Sequence, residues 1–302
     1  MTEQKHNDAF KVQPWQLKQR KGMSLDHKIK MSLVRIKAYH DKTDGKMYVA
    51  YSGGRDSTVL LHLVRAAFPN VVATFNDTGL EYPEVKSFAL ATENLVVLKP
   101  KKNFLHCIRE SGYPLISKEN AQKIREIRTT NSDKLRNKRM YGDEKGNGKL
   151  AEKWKFMIDA PFKISDRCCA TLKKNPVKAY EKLSGNSAIV GTMAEDSRLR
   201  HTTYLKNGCM QIGGKRNMLT PLSFWTHADI LEYVARYNLP ISKIYSMGYD
   251  HTGCVFCAFG CHLDAPGKNK FSLMKVTHPQ LFKYCMENLG LAEMFDYMGV
   301  VV

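Results

Sequence analysis

Six consecutive residues, Ser52-Gly53-Gly54-Arg55-Asp56-Ser57, set two hydroxyls, two glycines, a guanidinium and a carboxylate between the apolar runs Met47-Tyr48-Val49-Ala50-Tyr51 and Thr58-Val59-Leu60-Leu61-His62-Leu63-Val64. The order reads as strand, glycine turn and helix start. Glycine lets the backbone turn with positive φ, and the first amides of a helix lack intrahelical acceptors. Those N–H groups and the helix dipole favour an anion, Ser52 and Ser57 add hydroxyl donors, and Arg55 adds a planar fork suited to oxyanions. The expected chemistry is phosphate binding. A capped βα turn is the simpler alternative, and the flanking strand and helix weigh against it.

The eight cysteines offer a second chemistry. Cys168 and Cys169 are adjacent, and Cys254 and Cys257 enclose two residues. Two pairs make four thiolates, the donor set of tetrahedral zinc or of a [4Fe–4S] cluster. Zinc ribbons normally leave a two-residue loop inside each pair, so the adjacent pair favours iron–sulfur. Cys261 reads as a fifth ligand or a reactive thiol, and Cys107, Cys209 and Cys285 as small buried hydrophobes.

Alternating strands and helices must position these groups. A capped amphipathic helix is expected over 24–39, begun by Ser24 or Asp26, and strands over 47–51, 71–76, 95–98 and 188–190, with a helix near 84–91. That rhythm implies right-handed βαβ units and a parallel sheet covered on both faces, with ligands at the carboxyl ends of the strands. Residues 52–57 and Asp77-Thr78-Gly79 both follow strands, which sets them side by side. Gly191 follows another, and it opens a polar loop in which Arg198 and Arg200 are candidate anion ligands.

The chain of 302 residues is 43% hydrophobic, enough for a large core, and its formal net charge of +18 concentrates anions. Much of the excess is local, with sixteen lysines and arginines against seven carboxylates over 99–155. Nucleic acid is therefore a candidate partner, the alternative being a solvated basic face. The expected organisation is an N-terminal helical segment over 1–45, a nucleotide-binding α/β domain over 46–225 with a basic insertion of helix and loop near 118–160, and a helical region over 226–302 carrying the second cysteine pair. No run of about 18 apolar residues occurs, and the start Met1-Thr2-Glu3-Gln4-Lys5-His6 lacks an apolar signal core, so a cytoplasmic protein without a membrane span is expected. A homodimer is as compatible with the sequence as a monomer.

Taken in order, Ser52-Gly53-Gly54-Arg55-Asp56-Ser57, Asp77-Thr78-Gly79-Leu80-Glu81-Tyr82-Pro83-Glu84, Cys168-Cys169, Pro221-Leu222-Ser223-Phe224-Trp225-Thr226 with Asp229-Ile230, Leu239-Pro240, and Gly253-Cys254-Val255-Phe256-Cys257 resemble the phosphoadenosine phosphosulfate (PAPS) reductase branch of the PP-loop proteins. The resemblance covers residues 47–261. It implies an adenine-nucleotide α-hydrolase-like fold with a parallel five-stranded sheet. It further implies phosphate or pyrophosphate on Ser52 to Ser57, nucleotide bordered by Asp77, Thr78 and Gly79, anionic substrate at Arg198 and Arg200, and a [4Fe–4S] cluster held by Cys168, Cys169, Cys254 and Cys257.

Two departures redirect the expected activity. Sulfonucleotide reductases usually carry a C-terminal Glu-Cys-Gly-like motif whose cysteine attacks the sulfate sulfur, and 291–302 has no cysteine. The phosphate loop, often degraded in those reductases, here resembles the complete loop of ATP-cleaving PP-loop enzymes, with Asp56 expected to position Mg²⁺. The expected activity is ATP-dependent adenylation with sulfur transfer to a nucleic acid or nucleotide, sulfur arriving from a donor through the cluster or Cys261. The alternatives are a phosphoadenylyl or adenylyl sulfate reductase served by a thioredoxin-like reductant, and a non-catalytic binding module. Zinc in place of the cluster would suit the last.

Overall fold

The computed structural model describes residues 11–214 and 216–302. The start of the expected 1–45 segment, including the polar run Met1 to His6, lies outside the described residues. Two compact units make up the chain, and each is drawn from separated stretches.

The first unit takes the described part of Met1–Asn76, with Pro83–Leu98 and Val177–Lys243. Its helices are α1 (Pro14–Lys21), α2 (Leu25–Lys42), α3 (Arg55–Ala67), α4 (Pro83–Leu90), α8 (Asn175–Ser184, entered from Val177), α9 (Arg198–Asn207) and α10 (His227–Arg236). Its strands are β1 (Met47–Tyr51), β2 (Val72–Asn76), β3 (Leu95–Leu98), β5 (Ser187–Val190), β6 (Met210–Gln211) and β7 (Met218–Leu219), in the order β3-β2-β1-β5-β7-β6. The first five are parallel, as expected, and β6 adds a sixth strand antiparallel to β7. β3 is an edge strand with Val96 and Val97 exposed, so the sheet is not covered on both faces there.

Period decides which residues enter the core. Leu25, Lys28, Ser32, Ile36 and Tyr39 recur at helical spacing on the buried face of α2. Ser24 occupies the N-cap position of α2, but its hydroxyl meets His27 Nδ1 at 2.7 Å and makes no cap bond. Lys28 is buried in that face, where its ammonium donates to Asp229 Oδ2 at 2.6 Å and to the Lys21 carbonyl at 2.7 Å. The same carboxylate accepts from the Thr226 amide and hydroxyl, which starts α10. Trp225 is fully buried and donates to Ser32 Oγ, and that hydroxyl donates to the Pro221 carbonyl. The segment 221–230 thus holds the core together.

The second unit takes Asp77–Tyr82, Lys99–Pro176 and Ile244–Val302. It holds α5 (Phe104–Ser111), α6 (Lys118–Thr129), α7 (Asp133–Tyr141), α11 (Lys270–Thr277), α12 (Pro279–Lys283) and α13 (Leu291–Met298). The basic segment is more ordered than a helix and loop, since α6 and α7 are followed by a 3₁₀ helix, Glu152–Ile158. Two short strands, β4 (Leu115–Ile116) and β8 (Ala258–Phe259), pair in parallel. Among the described residues no helix is long and apolar enough to cross a membrane.

Candidate functional site

The phosphate loop is built almost wholly from its own sequence. Gly53 turns with φ of +73°, and a Cβ there would lie 2.9 Å from the Val85 carbonyl oxygen. Gly54 caps α3, and its carbonyl accepts from the Ser57 hydroxyl at 2.9 Å and the Thr58 hydroxyl at 3.0 Å. Ser57 Oγ lies 3.1 Å from Ser52 Oγ and accepts from the Ser52 amide, while Ser52 Oγ accepts from the Gly54 amide. The two serines therefore shape the turn as well as lining it. Ser52 is exposed, Arg55 and Asp56 are half-buried, and Ser57 is buried.

β1 lies between β2 and β5, so Ser52, Asn76 and Gly191 leave the sheet at one edge. Gly191 approaches the first turn of α3 closely, since a Cβ there would stand 3.2 Å from the Asp56 carbonyl oxygen. In the following loop Arg198 and Arg200 occupy the first turn of α9, capped by Ser197. Cations at the positive end of a helix are unfavourable unless an anion joins them. The Arg200 guanidinium has one already, the Asp196 carboxylate, which also accepts from the Met193 amide. Arg198 and Arg200 are both exposed, and Arg200 is ion-paired.

In the second unit, Glu81 organises the loop begun by Asp77. Its carboxylate accepts from the Thr78 hydroxyl at 2.6 Å, the Thr78 amide at 3.1 Å and the Leu80 amide at 3.2 Å. Asp77 Oδ1 accepts from the Gly79 amide. The Leu80 carbonyl accepts from the Val255 amide at 2.8 Å, which ties this loop to the Cys254–Cys257 turn. Glu81 stands in the motif that carries the family resemblance, but its role is legible only from these contacts.

β4 and the residues before it bring the two cysteine pairs together. Tyr113 bridges to Ile164 and exchanges backbone bonds with Lys163 and Ser165, just ahead of Cys168. Leu115 and Ile116 pair with Ala258 and Phe259, just after Cys257. Gly112 permits the first approach, because with φ of +106° a Cβ would fall 2.4 Å from the Lys163 carbonyl group. Buried Ile116 has φ of +67°, an outlier for a β-branched side chain, where β4 turns into α6.

The four thiols share one charged environment. The hydrogen bond between Cys168 and Cys169 splits the pair, pushing the Cys169 thiol down, aided by Lys118, Lys173 and Lys174, and the Cys168 thiol up. Burial pushes the Cys257 thiol up. Lys173, on the π-helical turn Ala170–Lys174, contacts Cys254; burial opposes its charge, but Cys254, Cys169 and Glu81 raise its pKa. Lys270 donates to the Cys254 carbonyl at 2.7 Å. Neither lysine was legible as a functional residue among so many basic ones.

Four thiols ringed by ammonium groups fit a four-thiolate cofactor in donor type, number and charge. Among the described residues, however, no three His, Cys, Asp or Glu side chains converge on one ion. Cys261 is buried and its thiol is pushed by burial up to about 11, which removes the nucleophilic character expected of a sulfur carrier. Cys107 and Cys285 are buried too, and Cys209 is half-buried.

A mostly parallel sheet carrying a glycine-turn phosphate loop at its carboxyl edge defines an α/β nucleotide-binding protein of the PP-loop type. Residues 46–259 match the phosphoadenosine phosphosulfate reductase domain, and the chain belongs to that family. It is 25% identical over 237 residues to an adenosine 5′-phosphosulfate reductase of Lysinibacillus sphaericus, covering 78% of this chain and 83% of the relative. A reductase of the same name from Geobacillus kaustophilus is 26% identical over 246 residues, covering 80% and 86%. A phosphoadenylyl-sulfate reductase structure from Candida auris, a phosphate complex, matches with a TM-score of 0.43 at 17% identity, over 77% of this chain and 96% of that one.

Proposed function

We propose that the chain binds ATP with its phosphates on residues 52–57 and uses it to activate a nucleic acid or nucleotide for sulfur transfer. The observation that carries this reading is the construction of the loop: Gly53 at positive φ with no room for a side chain, two interlocked serines, and the positive end of α3. In this reading Asp56 positions Mg²⁺, Arg55 and Arg198 meet pyrophosphate charge, and Asp77, Thr78 and Gly79 border the nucleotide. Adenylation of an acceptor oxygen releases pyrophosphate and makes AMP the leaving group for a sulfur nucleophile. Cys168, Cys169, Cys254 and Cys257 would hold a [4Fe–4S] cluster, which supplies a redox-active sulfur centre when bound.

A second reading is reduction of adenylyl sulfate with a thioredoxin-like reductant, favoured by family membership and by the names of the two relatives. That reaction needs a nucleophilic thiol. Outside the four-cysteine group, Cys107, Cys261 and Cys285 are buried and Cys209 is half-buried, and burial pushes all four thiols up. This inventory favours the first reading.

One assay separates the two. Anaerobically prepared protein is given ATP, with and without RNA or DNA and a sulfide donor, and in parallel adenylyl sulfate with thioredoxin. Pyrophosphate and AMP formation stimulated by a polynucleotide is the expected result. Sulfite release without ATP cleavage would install the reductase, and ATP binding with neither product would leave a binding module.

A further inference from the structure

The helix α7, Asp133–Tyr141, buries none of its residues. Such a helix is not held by an apolar face, so local bonds must hold it. Ser132 accepts from the Leu135 amide, Arg136 pairs with Asp133 at 3.0 Å, and Gly142 closes the C-terminus. Arg139 anchors it: the guanidinium donates to Glu126 at 2.6 Å, and the carbonyl accepts from the Leu150 amide at 2.7 Å. The rest of the surface is free of packing duties.

The aromatic side chains here are exposed and aligned. Tyr141 is 69% exposed, and the Lys155 ammonium stands 5.9 Å from its ring centroid. Next to Lys155 in sequence, Phe156 is 45% exposed and stacks on Tyr297 of α13 with centroids 5.8 Å apart. Water-facing rings of this size cost free energy unless something covers them. The surrounding charge says what would. Most carboxylates of this segment are occupied: Glu119 by Lys123, Glu126 by Arg139, Asp133 by Arg136, Asp143 by Lys138 and Glu152 by Lys155. Lys134, Lys145, Lys149 and Lys153 have no ion pair among the described residues.

We infer that this face of the second unit, from Tyr141 through Lys155 and Phe156 to Tyr297, is the docking surface for a single-stranded polynucleotide. Bases stack on Tyr141 and on the Phe156–Tyr297 pair, which are sequence-tolerant platforms, while Lys134, Lys145 and Lys153 meet phosphates. An acidic peptide would satisfy the lysines but leave the ring faces bare. The inference gives the acceptor of the proposed sulfur transfer a place to bind, and in that respect rests on that reading.

The test is fluorescence anisotropy of the full chain with labelled 20-nucleotide single-stranded RNA and DNA and with duplex DNA, over a salt series and without ATP. The expected result is binding that weakens with salt and prefers a single strand, the RNA and DNA arms naming the sugar. Tyr141→Ala should weaken it roughly tenfold and Lys153→Glu roughly threefold to tenfold, whereas Tyr141→Phe restores the wild-type value. Circular dichroism and melting curves for each variant establish that α7 persists. Equal affinity of wild type and Tyr141→Ala, competition by polyglutamate as strong as by the strand, or a change of oligomeric state in Tyr141→Ala that points to a second copy on this face would each overturn the inference. Because the binding test contains no ATP, the two readings fail separately: strand binding here with no strand-stimulated pyrophosphate release in the ATP assay would sink the sulfur-transfer reading alone, and pyrophosphate release there without strand binding here would sink this one alone.

Discussion

The phosphate loop and the cysteine group reach order by opposite routes. The serine and glycine bonds that shape residues 52–58 run within that stretch, so much of the device is legible in one line of sequence. The cysteine group takes its members from two distant segments, and neither pair positions the other. Tyr113, Leu115 and Ile116 do so, by pairing with residues beside each pair. Each device also turns on one glycine with positive φ that admits a backbone from another segment, Val85 at Gly53 and Lys163 at Gly112. A local device tolerates changes elsewhere in the chain. An assembled one fails when its spacer moves.

The largest expected effect tests the spacer. Gly112→Ala sets a Cβ against the Lys163 backbone and forces an unfavourable φ, costing about 3 kcal/mol in urea unfolding. Iron uptake on anaerobic reconstitution should collapse while ATP affinity stays within about twofold. Loss of both together would mean that the two devices are not separable. Gly53→Ala should invert the pattern: about 2 kcal/mol of stability lost, ATP affinity down by more than tenfold in calorimetry, and iron uptake retained.

A smaller effect probes charge around the thiols. In metal-free protein, iodoacetamide modification of Cys169 should rise with pH through a midpoint below that of an ordinary thiol, because the thiolate is the reacting form and the hydrogen bond from Cys168 and the nearby lysines favour it. Lys173→Met removes a neighbouring positive charge, so the midpoint moves up and the rate at pH 6 falls several-fold. An unmoved midpoint would remove Lys173 from the group. The smallest effects separate the two arginines of α9. Arg198→Ala should weaken ATP binding about fivefold, and Arg200→Ala should cost at most about 1 kcal/mol of stability, as for an exposed ion pair, with affinity unchanged.

Motif residues were legible without all of them being chemical. Trp225 and Asp229 sit in the stretch that carries part of the family resemblance, yet one fills the core and the other caps α10 and meets buried Lys28. Conversely, Lys173 and Lys270 act at the thiols with no sequence pattern to mark them, since each works through charge or backbone proximity. The sixth strand was missed because β6 and β7 span two residues each, too short to show a period.

By itself the sequence determined the four longer strands of the sheet, the glycine loop and the family, because strand periodicity, glycine conformation and helix-start chemistry are set by near neighbours. Only the tertiary structure decided that Lys173 and Lys270 meet Cys254, that Cys261 is buried, and that Gly112 must be a glycine. Those are facts of contact between segments remote along the chain. Burial and proximity set them, and no local spacing encodes either.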